Sequence, residues 1–113
     1  MAANILVVDD EPLILSTVER ALIKLGYSIV KAQCMAELDI AVGKGPFDLL
    51  ITDIYLREDT VDAVIAKVTA CSPLVKIMRM SGSINKHNLP NFIEKPFSIN
   101  VLRSRVKEIL DEP

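Results

Sequence analysis

The chain has 113 residues, enough for one domain with one hydrophobic core. Its composition, 50% hydrophobic and 25% charged, is typical of a globular protein and excludes intrinsic disorder. The net charge of −2, with no block of like charge, argues against a nucleic-acid-binding surface.

The N-terminal segment and the cysteines indicate the cellular compartment. The first residues lack the positive region of a secretory signal, and no apolar run is long enough to span a membrane. Cys34 and Cys71 have no C-x-x-C spacing, which favours two reduced thiols that serve as small packing residues. We therefore expect one cytoplasmic domain over residues 1–113 that does not contact the membrane.

Strands and helices alternate in the first half of the chain. A first strand is predicted over about residues 4–9, and a helix begins at Pro12, because proline at the first helical position loses no hydrogen bond. Gly26 is a typical helix stop. The apolar stripe of this helix comprises Ile14, Val18, Ala21, Leu22 and Leu25. The next elements are a strand over 27–32, a helix over about 35–43 and a strand over 47–52.

The second half continues the alternation with one interruption. Helical spacing covers 60–70, a strand covers 74–80 and stops at Ser81-Gly82, and a short strand covers 92–94. Ser98 caps a last helix, whose inner face is formed by Leu102, Val106, Ile109 and Leu110. Residues 83–91, between the strand that stops at Ser81-Gly82 and the short strand over 92–94, are rich in asparagine. They have only Ile84 and Leu89 to bury, so we expect a loop or at most one helical turn there.

This order of elements predicts an α/β fold. Five strands alternate with four clear helices, which indicates a parallel sheet with helices on both faces and right-handed crossovers. The strands that precede Asp9-Asp10 and Asp53 are continuous apolar runs, as expected for strands buried on both faces.

Acidic residues close two of these buried strands. Asp9-Asp10 follows the first and Asp53 follows the third, at the sheet edge where open α/β folds bind ligands. Three carboxylates at neighbouring strand ends repel one another unless a cation neutralises them. The sequence therefore predicts a site for a hard metal ion.

Two further strand ends carry Ser81 and Lys95, which suit contact with phosphoryl oxygens. A carboxylate can act as a nucleophile towards phosphorus and form an aspartyl phosphate. The combination of acids, hydroxyl and ammonium is therefore complete for phosphoryl transfer to an aspartate.

With these residues the chain resembles the receiver domain of bacterial two-component response regulators, over essentially its whole length. The resemblance implies a flavodoxin-like five-stranded sheet in the order 2-1-3-4-5, in a receiver of the stand-alone, single-domain type. The matching motifs are Ile5-Leu6-Val7-Val8-Asp9-Asp10-Glu11-Pro12, Asp48-Leu49-Leu50-Ile51-Thr52-Asp53, Ser81-Gly82 and Phe92-Ile93-Glu94-Lys95-Pro96-Phe97.

The resemblance implies a metal-dependent phosphoacceptor site. Asp53 would accept the phosphoryl group. Asp10, Asp53 and the backbone carbonyl of Tyr55 would bind Mg²⁺ directly, and Asp9 would assist.

The same resemblance assigns roles at the other strand ends. Ser81 and Lys95 would contact the phosphoryl group, and the Lys95-Pro96 peptide would be cis. Phe92 matches the aromatic residue whose rotamer accompanies activation. Phe92 could equally be an ordinary core residue, and one side chain can both pack in the core and change rotamer on activation.

Three departures from the family pattern concern the signalling surface. Leu56-Arg57 stands where receivers usually carry Met-Pro, and Asp62-Ala63 is the nearest match to the usual Asp-Gly. The interval from Ser81 to Lys95 is short, which predicts a fourth helix that is reduced or absent. The last helix and the edge of the fifth strand would then serve as the docking surface for a partner.

We expect a signalling module rather than an enzyme, although slow autodephosphorylation is compatible with it. A sensor histidine kinase or phosphotransfer protein would supply the phosphoryl group, and an unknown downstream protein would respond. The alternative is a pseudo-receiver scaffold that acts by protein binding without phosphorylation. A small phosphate-ester hydrolase is a weaker third reading, since no water-activating base stands apart from the acids.

Overall fold

The computed structural model describes residues 3–54, 60–82 and 91–111. Its strands are β1 (Asn4–Val8), β2 (Ser28–Ala32), β3 (Leu49–Asp53), β4 (Lys76–Ser81) and β5 (Phe92–Glu94). Its helices are α1 (Pro12–Ile23), α2 (Met35–Ala41), α3 (Val61–Cys71) and α4 (Ile99–Asp111), with a 3₁₀ turn over Val42–Lys44. None of the helices in these ranges is long and apolar enough to cross a bilayer.

The five strands form one parallel sheet in the order β2-β1-β3-β4-β5, so the predicted flavodoxin-like fold is confirmed. The central strands β1 and β3 lie side by side, with Val8 level with Thr52. This register brings the residues that end both strands to the same place on the carboxyl edge of the sheet.

Each face of the sheet packs against its own pair of helices. Ile5 and Val7 of β1 lie in a core with α1 and α4, whereas Leu6 and Val8 lie in a core with α2 and α3. All four side chains are buried, which explains why β1 is a continuous apolar run instead of an alternating one.

The first helix begins at Pro12 as predicted and ends earlier than its apolar stripe suggests. Leu25 lies beyond the helix, and Gly26 follows with a positive φ of 92°, a conformation that glycine adopts without strain. The second helix is also shorter than predicted, because it gives way to the 3₁₀ turn after Ala41.

Strands β3 and β4 lie about two residues later than predicted at their starts and extend one residue further at their ends. Asp53 is the last residue of β3 and Ser81 is the last residue of β4. Both site residues are therefore held by strand pairing rather than by a loop.

Some predictions lie outside the described residues. They concern Tyr55, the Leu56-Arg57 departure and the interval 83–91 apart from Asn91. Asn91 has a positive φ of 55°, which asparagine tolerates, and its carbonyl accepts a hydrogen bond from the Arg79 N–H at 2.9 Å. Within the described ranges, four α-helices accompany the five strands.

Candidate functional site

Asp9 and Asp53 meet at the carboxyl edge of the sheet. Val8 of β1 is paired with Thr52 of the adjacent strand β3. Asp9 directly follows Val8, and Asp53 directly follows Thr52. Asp9 is fully buried and Asp53 is 5% exposed. Burial of two carboxylates at one point requires positive charge or hydrogen bonds nearby.

Lys95 supplies that positive charge from the end of β5. Its backbone N–H donates to the Ser81 carbonyl at 2.7 Å, which fixes the start of the side chain beside β4. Its ammonium Nζ donates to Asp9 Oδ2 and to Asp53 Oδ2, both at 2.8 Å. The Lys95-Pro96 peptide is cis, as the family resemblance implied.

The environment shifts the pKa values of Asp9 and Lys95. Burial raises the pKa of Asp9 above its ordinary value, although hydrogen bonds from Lys95 and from the Glu11 N–H act in the opposite direction. Burial alone would lower the pKa of Lys95, but its hydrogen bonds to Asp53 and Asp9 and their charges outweigh that effect and raise it. The lysine therefore stays protonated throughout the physiological range.

Glu11 enters the site from the beginning of α1, a contribution that the sequence analysis missed. Its backbone N–H donates to Asp9 Oδ1 at 2.9 Å, and its carboxylate Oε1 lies 3.5 Å from Lys95 Nζ. The sequence feature that could have identified Glu11 is its position directly after Asp10, near the end of a strand. The sequence does not indicate that its side chain lies near Lys95.

The carboxylates of Asp9, Asp10, Glu11 and Asp53 form an acidic cluster. One oxygen from each lies within 4.8 Å of the others. Clustered carboxylate oxygens suit Mg²⁺, a hard cation that takes one or two carboxylates and completes its shell with water and phosphate oxygens. The donor set of this chain therefore fits the metal ion that the family resemblance implies.

Asp10 is partly buried and receives support from the β2–α2 connection. The Gln33 side-chain amide donates to the Asp10 carbonyl at 3.4 Å, and the Gln33 backbone N–H donates to the Glu37 carboxylate at 2.7 Å. This link joins the beginning of α2 to the turn that carries Asp10. It is the second contribution that the sequence analysis did not identify.

Ser81 and Phe92 lie on the adjacent strands β4 and β5, at opposite ends of their pairing. Ser81 is 2% exposed at the end of β4, with its carbonyl joined to Lys95. Phe92 is buried at the beginning of β5, level with Arg79. Ser81 lies in the strand next to β3, which carries Asp53, whereas Phe92 lies one strand further away. The metal ligand predicted at Tyr55 lies outside the described residues.

This arrangement can hold a phosphoryl group on an aspartate. Asp53 offers a carboxylate oxygen as a nucleophile, Lys95 offers ammonium hydrogens, and the remaining acids offer oxygens to a cation. Electrostatic stabilisation of the phosphoryl oxygens by fixed positive charge is the main requirement of phosphoryl transfer.

Comparison with known sequences identifies relatives in bacterial signalling proteins. The chain is 26% identical over 120 residues to the DNA-binding transcriptional regulator NtrC of a Bradyrhizobium species, covering 99% of the chain and 25% of the relative. It is 29% identical over 121 residues to the sensor kinase CckA of Brucella abortus, covering 98% of the chain and 13% of the relative. The chain thus spans a quarter or less of the length of these relatives.

Solved structures and a family model also match this chain. The receiver domain of the hybrid histidine kinase CckA superposes with a TM-score of 0.81 at 29% identity, covering 96% of the chain and 99% of the receiver. A response regulator from Thermotoga maritima superposes with a TM-score of 0.84 at 24% identity, covering 99% and 100%, and supports the fold. The model of the response regulator receiver domain matches residues 5–107. The chain therefore belongs to the response regulator receiver domain family, a family of signalling modules.

Proposed function

We propose that this receiver accepts a phosphoryl group on Asp53 in a Mg²⁺-dependent phosphorelay and signals through changed protein–protein contacts. The observation that carries the proposal is the convergence of Asp9, Asp53 and Lys95, with the ammonium 2.8 Å from each carboxylate. Buried ionisable groups with shifted pKa values that converge at one edge of a sheet are typical of functional sites.

The proposed donor is a phosphohistidine of a sensor histidine kinase or of a phosphotransfer protein. A carboxylate oxygen of Asp53 attacks phosphorus, the bond between phosphorus and the imidazole nitrogen breaks, and the nitrogen keeps the electron pair and takes up a proton. Lys95 then turns towards the new phosphoryl oxygens, because the phosphorylated Asp53 no longer offers a free carboxylate.

Asp10 and Asp53 would hold the metal ion, with the backbone carbonyl of Tyr55 and with Asp9 in support. A bound Mg²⁺ would neutralise the negative charge that gathers between the acids and the phosphoryl oxygens. Asp9 holds Lys95 through Oδ2 and the Glu11 N–H through Oδ1, so in the geometry observed here it acts through hydrogen bonds.

The output would follow from Ser81 and Phe92. The Ser81 hydroxyl would turn towards the phosphoryl group, and Phe92 would repack at the beginning of β5. Either change would alter the surface at α4 and the edge of β5, where a downstream protein would bind. We place this exchange in the cytoplasm, and hydrolysis of the aspartyl phosphate would end the signal slowly.

Phosphotransfer profiling tests the proposal. Each histidine kinase of the source organism is phosphorylated with labelled ATP and mixed with the parental protein or with Asp53→Asn. Rapid label transfer from one kinase or phosphotransfer protein to the parental protein alone would support it. A kinase that labels neither protein but binds both equally would favour the pseudo-receiver scaffold.

A further inference from the structure

The position of Glu11 has a consequence for the exchange of ligands in the acidic cluster. Lys95 Nζ has three hydrogens to donate and three carboxylates around it. Two contacts are short and lead to Asp9 and Asp53, whereas the third, to Glu11, is longer at 3.5 Å. The side chain of Glu11 is 57% exposed, and that of Lys95 is only 11% exposed.

Lys95 and a divalent cation would compete for the same carboxylates. Asp53 Oδ2 accepts from Lys95, and this carboxylate belongs to the acidic cluster that would bind Mg²⁺. A monovalent ammonium and a divalent ion at one carboxylate repel each other strongly in a partly buried place. Lys95 must therefore release at least one acid when the metal is bound.

The backbone leaves Lys95 only a short movement. Its N–H is joined to Ser81 at 2.7 Å, so the side chain can pivot but cannot leave the edge of the sheet. Glu11 is equally fixed, because its N–H is joined to Asp9 and its carbonyl accepts from the Ile14 and Leu15 N–H groups at the beginning of α1. Its carboxylate is exposed at the rim of the site, within 3.5 Å of Lys95 Nζ.

We propose that Glu11 is a positioning residue for Lys95: its carboxylate takes over the ammonium when Mg²⁺ is bound, and keeps it at the rim of the site. The inference rests on the proposed function, because it treats the acidic cluster as a Mg²⁺ site. With Glu11 present, the ammonium that Asp53 releases gains a second carboxylate beside Asp9, which holds it at 2.8 Å. Without Glu11, Asp9 is the one acid of these three left to pair with the ammonium, so metal binding is weaker.

A double-mutant cycle on Mg²⁺ affinity tests this inference, with calorimetry in the absence of phosphate as the measurement. Glu11→Gln should weaken binding about three- to fivefold, the upper range for a partly exposed ion pair. In a Lys95→Gln background, Glu11→Gln should change the Mg²⁺ affinity no more than the control substitution described next. Glu94→Gln is the matched control, since Glu94 is exposed, directly precedes Lys95 and is outside the acidic cluster of the described residues.

A second measurement follows the lysine itself. In the Mg²⁺-saturated parental protein, the ¹⁵N-detected ammonium signal of Lys95 should remain protected from solvent exchange, and Glu11→Gln should remove that protection. Glu11→Gln is at a partly exposed helix start, so the variant should fold.

The outcomes separate the inference from the proposed function. Equal losses of Mg²⁺ affinity from Glu11→Gln with and without Lys95 would make Glu11 a direct ligand or a distant charge and would overturn the inference. An unchanged affinity in Glu11→Gln would overturn it as well. If the parental protein binds no Mg²⁺ at all, the proposed function fails first, and the inference fails with it.

Discussion

The ammonium of Lys95 donates to the carboxylate of Asp53 at 2.8 Å, across 42 positions of sequence. This contact occupies the proposed phosphoacceptor before any phosphoryl group is present. It also joins the end of β5 to the end of β3, two strands that are separated in the sheet by β4. The lysine therefore helps to hold the folded structure of the site, in addition to its proposed role in the chemistry.

Removal of Lys95 should destabilise the protein when divalent ions are absent. In Lys95→Gln, Asp9 and Asp53 lose their shared cation, and breaking such a buried pair typically costs about 3 kcal/mol. Urea unfolding in EDTA measures the loss, and added Mg²⁺ should restore much of it by binding to the folded state.

The control for this loss is a lysine in an exposed ion pair. Lys31 pairs with Glu19 at 2.9 Å on the surface of α1 and β2. Lys31→Gln should lower the free energy of unfolding by less than about 1 kcal/mol, the usual range for such pairs. Equal losses in the two variants would show that Lys95 has no special role in the stability of the site.

Asp10→Asn should have two opposite effects. Removing one negative charge from the acidic cluster relieves repulsion, so the free energy of unfolding in EDTA should rise by up to about 1 kcal/mol. The same change should weaken Mg²⁺ binding, because a neutral amide is a poorer ligand than a carboxylate. Thermal melts with and without Mg²⁺ measure both effects.

Asp39→Asn is a suitable comparison, since Asp39 pairs with Lys67 on the surface between α2 and α3. It should leave the stabilisation by Mg²⁺ unchanged. Asp10→Asn that keeps the full stabilisation by Mg²⁺ would argue against Asp10 as a ligand.

Tyr27 directly precedes β2 and provides a test of the packing at the amino ends of the strands, away from the candidate site. Burial, and to a smaller extent the charge of Asp111, raise the pKa of its phenol. Because the folded state holds the proton more tightly, the free energy of unfolding should fall as the pH rises from the unfolded pKa to the folded pKa.

Tyr55→Phe leaves Tyr27 as the only tyrosine, so its titration can be followed by absorbance. Asp111→Asn in that background should lower the pKa. A titration at the ordinary value of a free tyrosine would contradict the burial of Tyr27 and its interaction with the charge of Asp111.

The sequence predicted the order and type of every described strand and α-helix, because buried parallel strands and amphipathic helices leave distinct apolar patterns. It did not predict the 3₁₀ turn over Val42–Lys44. The starts of β3 and β4 were wrong by two residues. The reason at β4 is local, because a turn between Ser72 and Val75 occupies the predicted start. β3 begins at Leu49.

Most members of the candidate site were predictable from the sequence, whereas Glu11 and the contacts between the side chains were not. Asp9, Asp53 and Lys95 each end a buried strand, and parallel topology alone brings such ends to one edge. The contact between Glu11 and Lys95 spans 84 positions and depends on the rotamers of two long side chains. No local pattern encodes that choice, which is why Glu11 emerged only from the structure.

The most direct test of the central claim is the mass of the intact protein after incubation with an acyl-phosphate donor and Mg²⁺. The account predicts that the parental protein gains the mass of a single phosphoryl group, that EDTA prevents the gain, and that Asp53→Asn shows none. An equal gain in Asp53→Asn, or no gain in the parental protein, would contradict it.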